Sequence, residues 1–144
     1  LLGAEPEAVT AHAAVSAAHG NIDMSTSLLL EFPDGVGVVA QVGMWNADRA
    51  SVTIIGERGI IEIPHAFICG PVDGDAVLID VDGIRTPIVA ERVDHYERQA
   101  TRFSEAVRGE AALPWVADDA VRQAEVLEAA TRSWRTRTRQ VIAG

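Results

Sequence analysis

The sequence predicts an α+β protein whose strands pair in antiparallel hairpins. Over about the first two thirds of the 144 residues, apolar and polar residues alternate with the period of two that is typical of strands. Over the last third, apolar residues recur at the three- and four-residue spacing of amphipathic helices. Strands followed by helices, rather than strands alternating with helices, are the order expected of an α+β domain.

The first three segments form the start of the sheet. Residues 9–17 are rich in alanine, and their position before the other strands favours a strand over a helix. Residues 23–32 and 36–44 both alternate, with apolar residues on one face of each. Pro33-Asp34-Gly35 separates them, and this is a turn signal because Pro fixes φ while Asp and Gly tolerate a tight bend. These two strands therefore form an antiparallel hairpin.

Two further hairpins follow. One joins residues 51–55 to residues 60–63, and the other joins residues 76–80 to residues 84–89 around a tight Asp-Gly turn. Several strands carry apolar residues on both faces; Val39, for example, lies opposite the main apolar set of its strand. We therefore expect helices on one side of the sheet and another apolar partner, such as a second subunit, on the other.

Two helices complete the prediction. Asp94 and Glu97 have the spacing of a capping box, and Gly109 supplies the stop signal of this first helix. The second helix opens at Asp118-Asp119, acids that suit the positive end of the helix dipole. Its predicted buried stripe consists of Ala120, Ala124, Leu127, Ala130 and Trp134.

The composition excludes several classes of function. A net charge of −9 argues against nucleic-acid binding, which needs clustered basic residues. All twelve basic residues are Arg, so the chain has neither a Schiff-base lysine nor a P-loop lysine. No apolar run approaches the roughly twenty residues of a membrane span, which predicts a soluble globular protein. The single Cys69 cannot form an internal disulfide, which favours the cytoplasm.

The beginning of the chain has no methionine and none of the features of a signal peptide. We therefore expect the sequence to be part of a longer protein. Residues 1–144 contain no internal repeat and no sign of a second domain, so a single domain is predicted.

One segment is a candidate for binding a polar ligand. Residues 45–49, Trp-Asn-Ala-Asp-Arg, bring a flat apolar ring, an amide, a carboxylate and a guanidinium to the end of a strand. This mixture suits a sugar or polyol, whose C–H face stacks on an aromatic ring while its hydroxyls need donors and acceptors. The alternative is an ordinary polar surface loop.

A second candidate lies at the start of the first helix. His95 and Tyr96 could perform acid–base chemistry. The alternative, which the sequence favours, is that Tyr96 packs inward with Phe103 while His95 is solvated. Gln99 lies one turn after Tyr96 on the same face, and if buried it needs a hydrogen-bond partner.

Other kinds of site find less support. The four His residues show no metal-binding spacing. Cys69 is interpreted as a loop residue rather than a nucleophile, and Asp80-x-Asp82-Gly83 as a hairpin turn rather than a calcium loop. No G-x-G-x-x-G motif is present, so the sequence carries no Rossmann cofactor site.

Four segments together resemble the C-terminal domain of the Gfo/Idh/MocA family of NAD(P)-dependent oxidoreductases. LEFPDGV at residues 30–36 is similar to the family's L-x-F-x-D/N-G turn, and VTIIGERGIIEIP at residues 52–64 to its V-x-G-x-x-G-x-I-x-V-P hairpin. HYERQ at residues 95–99, with Phe103 and Gly109, resembles its Y-x-x-Q-x-x-x-F helix. Residues 119–133 resemble its closing helix.

The resemblance implies an open, mainly antiparallel β-sheet with helices packed on one face, whose exposed face builds homo-oligomers. It also implies an N-terminal Rossmann domain that lies outside this chain and binds NAD or NADP. The parent enzyme would transfer hydride to or from a sugar, polyol or related small molecule. The family's catalytic lysine cannot lie here, since the chain has none. The fragment alone is therefore expected to be inactive and to bind no cofactor.

The resemblance further implies which residues face the substrate. The segment after residues 36–44 borders the active-site cleft in this family, which makes Trp45, Asn46 and Arg49 candidate substrate-binding residues. Tyr96 and Gln99 are weaker candidates. One departure is Arg137, which stands where the family usually has Gly, so the last helix could run on past this point. The rival function is a non-catalytic ligand-binding or assembly module that reuses the fold.

Overall fold

The computed structural model describes residues 3–67, 76–89, 94–113 and 115–142. The chain divides into two compact units, Leu1–Ala47 with Trp115–Gly144, and Asp48–Pro114. Each unit contains a four-stranded antiparallel sheet and one α-helix, so the predicted α+β class is confirmed. Within the described ranges, neither helix is both long and apolar enough to span a membrane.

The first unit is a sheet covered on one face by a long helix. Its strands lie in the order β3-β2-β1-β8. The elements are β1 (Ala8–Ser16), β2 (Ile22–Glu31), β3 (Gly37–Gly43), helix α2 (Ala117–Thr136) and the short β8 (Gln140–Val141).

The predicted hairpin of the first unit is confirmed in its register. Leu30 pairs with Val38 and Leu28 pairs with Ala40, so the apolar sets of β2 and β3 share one face. The turn Pro33–Gly35 contains Asp34 at φ 60° and Gly35 at φ 75°, the left-handed conformations that Asp and Gly tolerate. The alanine-rich β1 is also a strand, as expected, and it pairs with β2 along its whole length.

The core of the first unit lies between β1 and α2. Val9 and Ala129 are completely buried, and Ala11 and Ala130 are nearly so. Partly buried apolar side chains surround this cluster: Leu28, Leu30, Trp134 and Ile142. Three of the four central residues are alanines, whose small side chains let the helix approach the strand closely.

The buried stripe of α2 agrees only in part with the predicted one: Ala130 is buried and Trp134 packs against the core as predicted, but the other three predicted positions are exposed. The buried residues are Ala129, Ala130 and Ser133, whereas Leu127 is 57% exposed. The predicted positions Ala120 and Ala124 are exposed as well. In an alanine-rich helix, periodicity does not separate neighbouring faces, and the small Ala129 and Ser133 form the face that reaches β1.

A buried serine joins three segments of the first unit. The Ser133 hydroxyl accepts a hydrogen bond from the backbone N–H of Ala11 at 2.8 Å and donates one to the carbonyl of Thr138 at 2.7 Å. Strand β8 pairs with β1 only at Ala8 and Val9, so Ser133 continues the bonding of β1 beyond the end of that short strand.

Helix α2 ends at Thr136 rather than running on. Arg137 adopts a left-handed conformation at φ 58° and ψ 37°, and its N–H bonds to the carbonyl of Ser133. This left-handed conformation commonly ends helices and is usually adopted by Gly. Here Arg137 adopts it, so the helix ends in the usual way although the residue is not Gly. The chain then turns back to form β8.

A bidentate ion pair fastens the returning chain to β2. Arg139 donates to both carboxylate oxygens of Glu31, at 2.7 and 2.8 Å. These hydrogen bonds lower the pKa of Glu31 below its ordinary value of 4.5. Because the folded-state pKa is lowered, the pair stabilises the fold above pH 4.5, and this contribution is lost as the pH falls.

The second unit contains strands in the order β4-β5-β6-β7, followed by a helix. The elements are β4 (Val52–Gly56), β5 (Gly59–Ile63), β6 (Ala76–Asp80), β7 (Arg85–Ile88) and α1 (His95–Val107). Both predicted hairpins are confirmed. The turn between β6 and β7 is held by Asp80, whose Oδ1 accepts from the N–H groups of Asp82 and Ile84, both at 2.9 Å. This is a hairpin turn, as predicted.

The sheet of the second unit is apolar on both faces, as the sequence indicated. Ile54, Ile61 and Leu78 share one face through their register, and Ile55, Ile60 and Ile79 share the other. Every described side chain of this unit keeps at least partial exposure.

Helix α1 begins and ends as predicted. The Asp94 carboxylate accepts from the N–H groups of Tyr96 and Glu97 at 2.9 and 3.1 Å, and Gly109 follows the helix at φ 74°.

We expect Ser133→Ala to destabilise the first unit by about 1–3 kcal/mol, because it leaves a buried N–H and a carbonyl without their partner. Urea denaturation followed by circular dichroism measures this change. Ser104→Ala is the matched control, since Ser104 is exposed and bonds only to the carbonyl of Ala100 in its own helix; it should cost less than about 0.5 kcal/mol. Equal effects of the two substitutions would contradict the role given to Ser133.

We expect Glu31→Gln to flatten the loss of stability between about pH 5 and pH 3. The wild-type carboxylate loses its bonds to Arg139 when it is protonated, whereas Gln has no such transition. Denaturation midpoints at several pH values in this range measure the slope. Arg139→Gln should flatten it in the same way, because it removes the same donors. Unchanged slopes in both variants would show that this pair does not contribute.

Candidate functional site

The segment that the sequence singled out begins where β3 ends. The backbone N–H groups of Met44 and Trp45 both donate to the carbonyl of Met24, at 2.8 and 3.2 Å. Gly43 makes this close approach possible, since a Cβ there would lie 2.6 Å from the Met24 carbonyl oxygen and 2.6 Å from the Cα of Ser25. The path of the chain into Trp45 is therefore fixed by β2.

Trp45 and Asn46 lie together at this end of the first unit. The Trp45 side chain is 57% exposed, a large fraction for so apolar a ring. The Asn46 side-chain oxygen accepts a hydrogen bond of 3.1 Å from the Ser25 hydroxyl, so its NH₂ group is available for another acceptor. The two side chains thus present an apolar face beside an amide donor.

His19 lies beside Trp45, a neighbour that the spacing of residues in the sequence does not indicate. The ring centroids are 6.5 Å apart and the ring planes meet at 75°, which is an edge-to-face arrangement. His19 ends the short 3₁₀ turn Ala17–His19 between β1 and β2. Its Nδ1 shares a hydrogen bond of 2.8 Å with the hydroxyl of Ser16, which is nearly buried.

The register of the sheet explains why these residues meet. Ser16 at the end of β1 pairs with Ile22 at the start of β2, and Ser25 of β2 pairs with Gly43 at the end of β3. The β1–β2 turn and the exit from β3 therefore lie at the same end of the sheet. The register of β1 with β2 and of β2 with β3 is the signal that would identify His19, to which the sequence alone assigned no role.

The other three predicted residues belong to the second unit. Arg49 donates from its Nε to the Ser51 hydroxyl at 3.0 Å. Tyr96 packs against His95, with ring centroids 4.2 Å apart, and is 72% exposed. The expectation that Tyr96 packs inward while His95 is solvated is wrong, because His95 is the more buried of the two. Gln99 is exposed and can bond to water, so it needs no protein partner.

Both helix N-termini are occupied by acidic side chains of the chain itself. Asp94 caps α1, as described above. At α2, the Asp119 carboxylate accepts from the N–H of Val116 at 2.9 Å and also bonds to Arg122. These two contacts lower the pKa of Asp119, the backbone hydrogen bond contributing most. In the described residues, no α-helix start is free to receive the phosphates of a dinucleotide.

Within the described ranges, no three His, Cys, Asp or Glu side chains are grouped as metal ligands would be. Cys69, which the sequence predicts to be a loop residue, lies outside the described residues.

Comparison with solved structures shows the fold shared over nearly the whole chain. The aldose-aldose oxidoreductase from Caulobacter crescentus, crystallised with glycerol, is 19% identical, with a TM-score of 0.82 over 96% of this chain and 42% of its own. A candidate oxidoreductase from Klebsiella pneumoniae is 20% identical, with a TM-score of 0.78; the match covers 97% of this chain and 45% of the Klebsiella chain. A candidate NADPH-dependent oxidoreductase from Desulfitobacterium hafniense is 14% identical, with a TM-score of 0.78; the match covers 96% of this chain and 42% of the Desulfitobacterium chain.

The chain spans less than half the length of each of these three structures. A search of curated proteins finds no match. A family model described as the GFO/IDH/MocA C-terminal domain matches residues 1–62, which include β1 to β4 and most of β5. The family model and the shared fold together confirm the predicted resemblance of this chain to the C-terminal domain of the Gfo/Idh/MocA family.

Proposed function

We propose that this chain is the substrate-side and oligomerisation domain of a nicotinamide-dependent oxidoreductase that acts on a sugar, polyol or related small molecule. The observation that carries the proposal is the exposed Trp45 ring beside the Asn46 amide at the end of β3. Two structural relatives support it by their names, one as an aldose-aldose oxidoreductase and one as NADPH-dependent. The protein would act in the cytoplasm.

The chemistry of this pair suits a polyhydroxylated ligand. A sugar ring or polyol chain presents C–H groups that pack against an aromatic face and hydroxyls that need hydrogen-bond partners. Trp45 offers the face. Asn46, whose side-chain oxygen accepts from Ser25, offers its NH₂ group as a donor to a substrate hydroxyl.

Arg49, Tyr96 and Gln99 remain proposed substrate contacts. Arg49 follows Trp45 closely in sequence, and its guanidinium keeps donors besides the Nε that bonds to Ser51. Tyr96 and Gln99 present a hydroxyl and an amide from exposed positions on α1. All three would orient the substrate, and none is proposed to carry out the hydride transfer.

The nicotinamide cofactor would be held by an N-terminal Rossmann domain outside this chain. The residues of the chain do not fit a dinucleotide: the spacing Gly35-x-Gly37-x-x-Ala40 leads into strand β3 rather than into a helix, and carboxylates occupy the starts of α1 and α2. An acidic group at a helix start repels a pyrophosphate instead of attracting it. NAD or NADP would supply the hydride chemistry, and this chain would shape and position the substrate.

The open face of the first sheet is the proposed surface for forming homo-oligomers. Helix α2 covers the face that carries Val9 and Leu30, and the opposite face pairs Leu29 with Val39. Val39 is 81% exposed and Leu29 is 40% exposed. A cross-strand pair of this kind is apolar surface that a second copy of the chain would bury.

The alternative function is a ligand-binding or assembly module without catalysis. The two functions differ in what they require of the complete protein. Upstream of residue 1, a Rossmann glycine motif and the Glu-Lys-Pro motif that usually carries the catalytic lysine of the Gfo/Idh/MocA family would support the enzyme. Their absence from the complete protein would support the module.

We expect Trp45→Ala in the complete protein to raise the substrate KM by about three- to tenfold, because an aromatic contact of this kind contributes about 0.5–1.5 kcal/mol. Steady-state kinetics measure KM, and fluorescence titration with NADH and NADPH measures cofactor affinity, which should not change. Arg49→Ala should also raise KM. Trp115→Ala is the matched control, since Trp115 is 75% exposed and belongs to no proposed site. An unchanged KM in Trp45→Ala and Arg49→Ala would remove both residues from the site.

We expect Val39→Glu to lower the oligomeric mass of the protein at micromolar concentration, because it places a charge in the buried centre of the proposed interface. Light scattering coupled to size-exclusion chromatography measures the mass. Val121→Glu on α2 is the control, as Val121 is also exposed, at 57%, but lies on the helix rather than on the open sheet face. A monomeric wild type would contradict the proposed interface directly.

A further inference from the structure

We infer that His19 is a substrate-binding residue, which forms one wall of the same site as Trp45 and Asn46 and binds a hydroxyl of the polyol through its Nε2. This inference rests on the proposed function and deepens it. It assigns a role to a residue that sequence spacing did not identify, and it names the group on the substrate that the residue would recognise.

The position of His19 is fixed by the turn that carries it. After His19, Gly20 and Asn21 adopt left-handed conformations, at φ 75° and 60°. The N–H of Asn21 then donates to the carbonyl of Ser16 at 2.9 Å, which closes the turn. Two successive left-handed residues leave little freedom for the backbone, so His19 is held at the end of the sheet rather than on a loose loop.

The orientation of the imidazole is fixed as well. Ser16 is only 7% exposed, and its hydroxyl bonds to Nδ1 at 2.8 Å. This bond occupies one ring nitrogen and leaves Nε2 for a second partner. In the part of the chain that the structure describes, Nε2 has no hydrogen bond to protein. The imidazole is thus oriented by one ring nitrogen and can bind a ligand through the other.

Trp45 stands at the side of this imidazole. The two rings are nearly perpendicular, at 75°, so they form a corner rather than a stack. The two rings bring an apolar indole that is 57% exposed next to an imidazole with a ring nitrogen that is free within the described ranges. With the Asn46 NH₂ on the same segment as Trp45, this corner combines an apolar surface with hydrogen-bonding groups of two kinds.

The chemistry of this corner selects a class of ligand. A polyol or sugar carries a hydroxyl on nearly every carbon, so a C–H group that packs on Trp45 has a hydroxyl next to it. Nε2 can donate to or accept from a hydroxyl, depending on the tautomer that the Ser16 bond selects. Asn46 can donate to a second hydroxyl. A ligand with adjacent hydroxyls is therefore favoured over one with a single hydroxyl.

The test uses the complete protein and three probes: glycerol, sorbitol and glucose. Titrations followed by ¹H–¹⁵N NMR report the indole N–H of Trp45 and the imidazole of His19, and steady-state kinetics give KM and kcat. His19→Ala should weaken binding of the best probe and raise KM by about tenfold, the effect of one hydrogen bond. The value of kcat should change by less than about twofold, and cofactor affinity should be unchanged.

Two further variants and a control sharpen this test. His19→Gln keeps a donor and an acceptor without the ring, and it should recover part of the lost affinity. Ser16→Ala should weaken binding only when His19 is present, so that the double variant is no worse than His19→Ala alone. His12→Ala is the matched control, because His12 is also exposed and lies on β1 rather than in the turn. Thermal midpoints would identify any variant that has lost its fold.

The outcomes separate the inference from the function on which it rests. Weaker binding in His19→Ala, with none in His12→Ala, supports the inference. Weaker binding in Trp45→Ala but wild-type binding in His19→Ala overturns the role of His19 and leaves the proposed function in place. If none of the probes shifts Trp45, and KM is unchanged in Trp45→Ala, both the proposed function and the inference are wrong.

Discussion

The first unit depends on one buried hydroxyl. Ser133 bonds at once to strand β1, through Ala11, and to the chain that follows helix α2, through Thr138. Strand β1 lies between β2 and β8, but β8 reaches only its first two residues. Without Ser133, the N–H of Ala11 would be buried against α2 with no partner, a situation that folded proteins avoid. The need to give the Ala11 N–H a hydrogen-bond acceptor therefore helps to fix the position of α2 on the sheet.

The same constraint determines what kind of residues can fill the core. A hydrogen bond of 2.8 Å from a strand backbone to a helix side chain requires the two elements to approach closely. Ala11, Ala129 and Ala130 permit that approach because they have no side chain beyond Cβ. Larger apolar residues, such as Leu28 and Leu30, pack around the edge of this contact and are partly buried. The core is small, and its alignment is set by polar bonds as much as by apolar area.

The placement of β1 determines the candidate site at one end of the sheet. Once β1 is fixed, its register with β2 sets the level of the β1–β2 turn, and the register of β2 with β3 sets where β3 leaves the sheet. Gly43 then brings the chain against Met24, so that Trp45 emerges beside His19. A residue at the tip of one hairpin and a residue after another become neighbours although they are far apart in sequence.

This explains how much the sequence could predict. Alternation and turn chemistry depend on neighbouring residues, so the hairpins, the Asp80 turn and the Asp94 cap could all be read directly. Trp45 and Asn46 could be chosen by their chemistry. His19 could not, because its position beside Trp45 depends on two registers taken together. The stripe of α2 was predicted only in part: Ala130 and Trp134 do belong to the buried face, whereas Ala120 and Ala124 are exposed, because the sequence does not show which alanines face the sheet. The end of α2 was set by the returning chain rather than by residue preference.

The electrostatics of the chain favour the division of labour between this domain and its proposed partner. Acidic caps at both helices, at Asp94 and Asp119, satisfy the helix starts internally, which stabilises the domain but leaves those starts without an anion site. A net charge of −9 without any lysine adds to this. The negative charge does not repel a neutral, hydroxyl-rich substrate, whereas it does repel the negatively charged phosphates of a dinucleotide. The occupied helix starts and the negative charge are thus compatible with the proposal that the cofactor is held elsewhere and that this chain contacts the substrate through Trp45, Asn46 and His19.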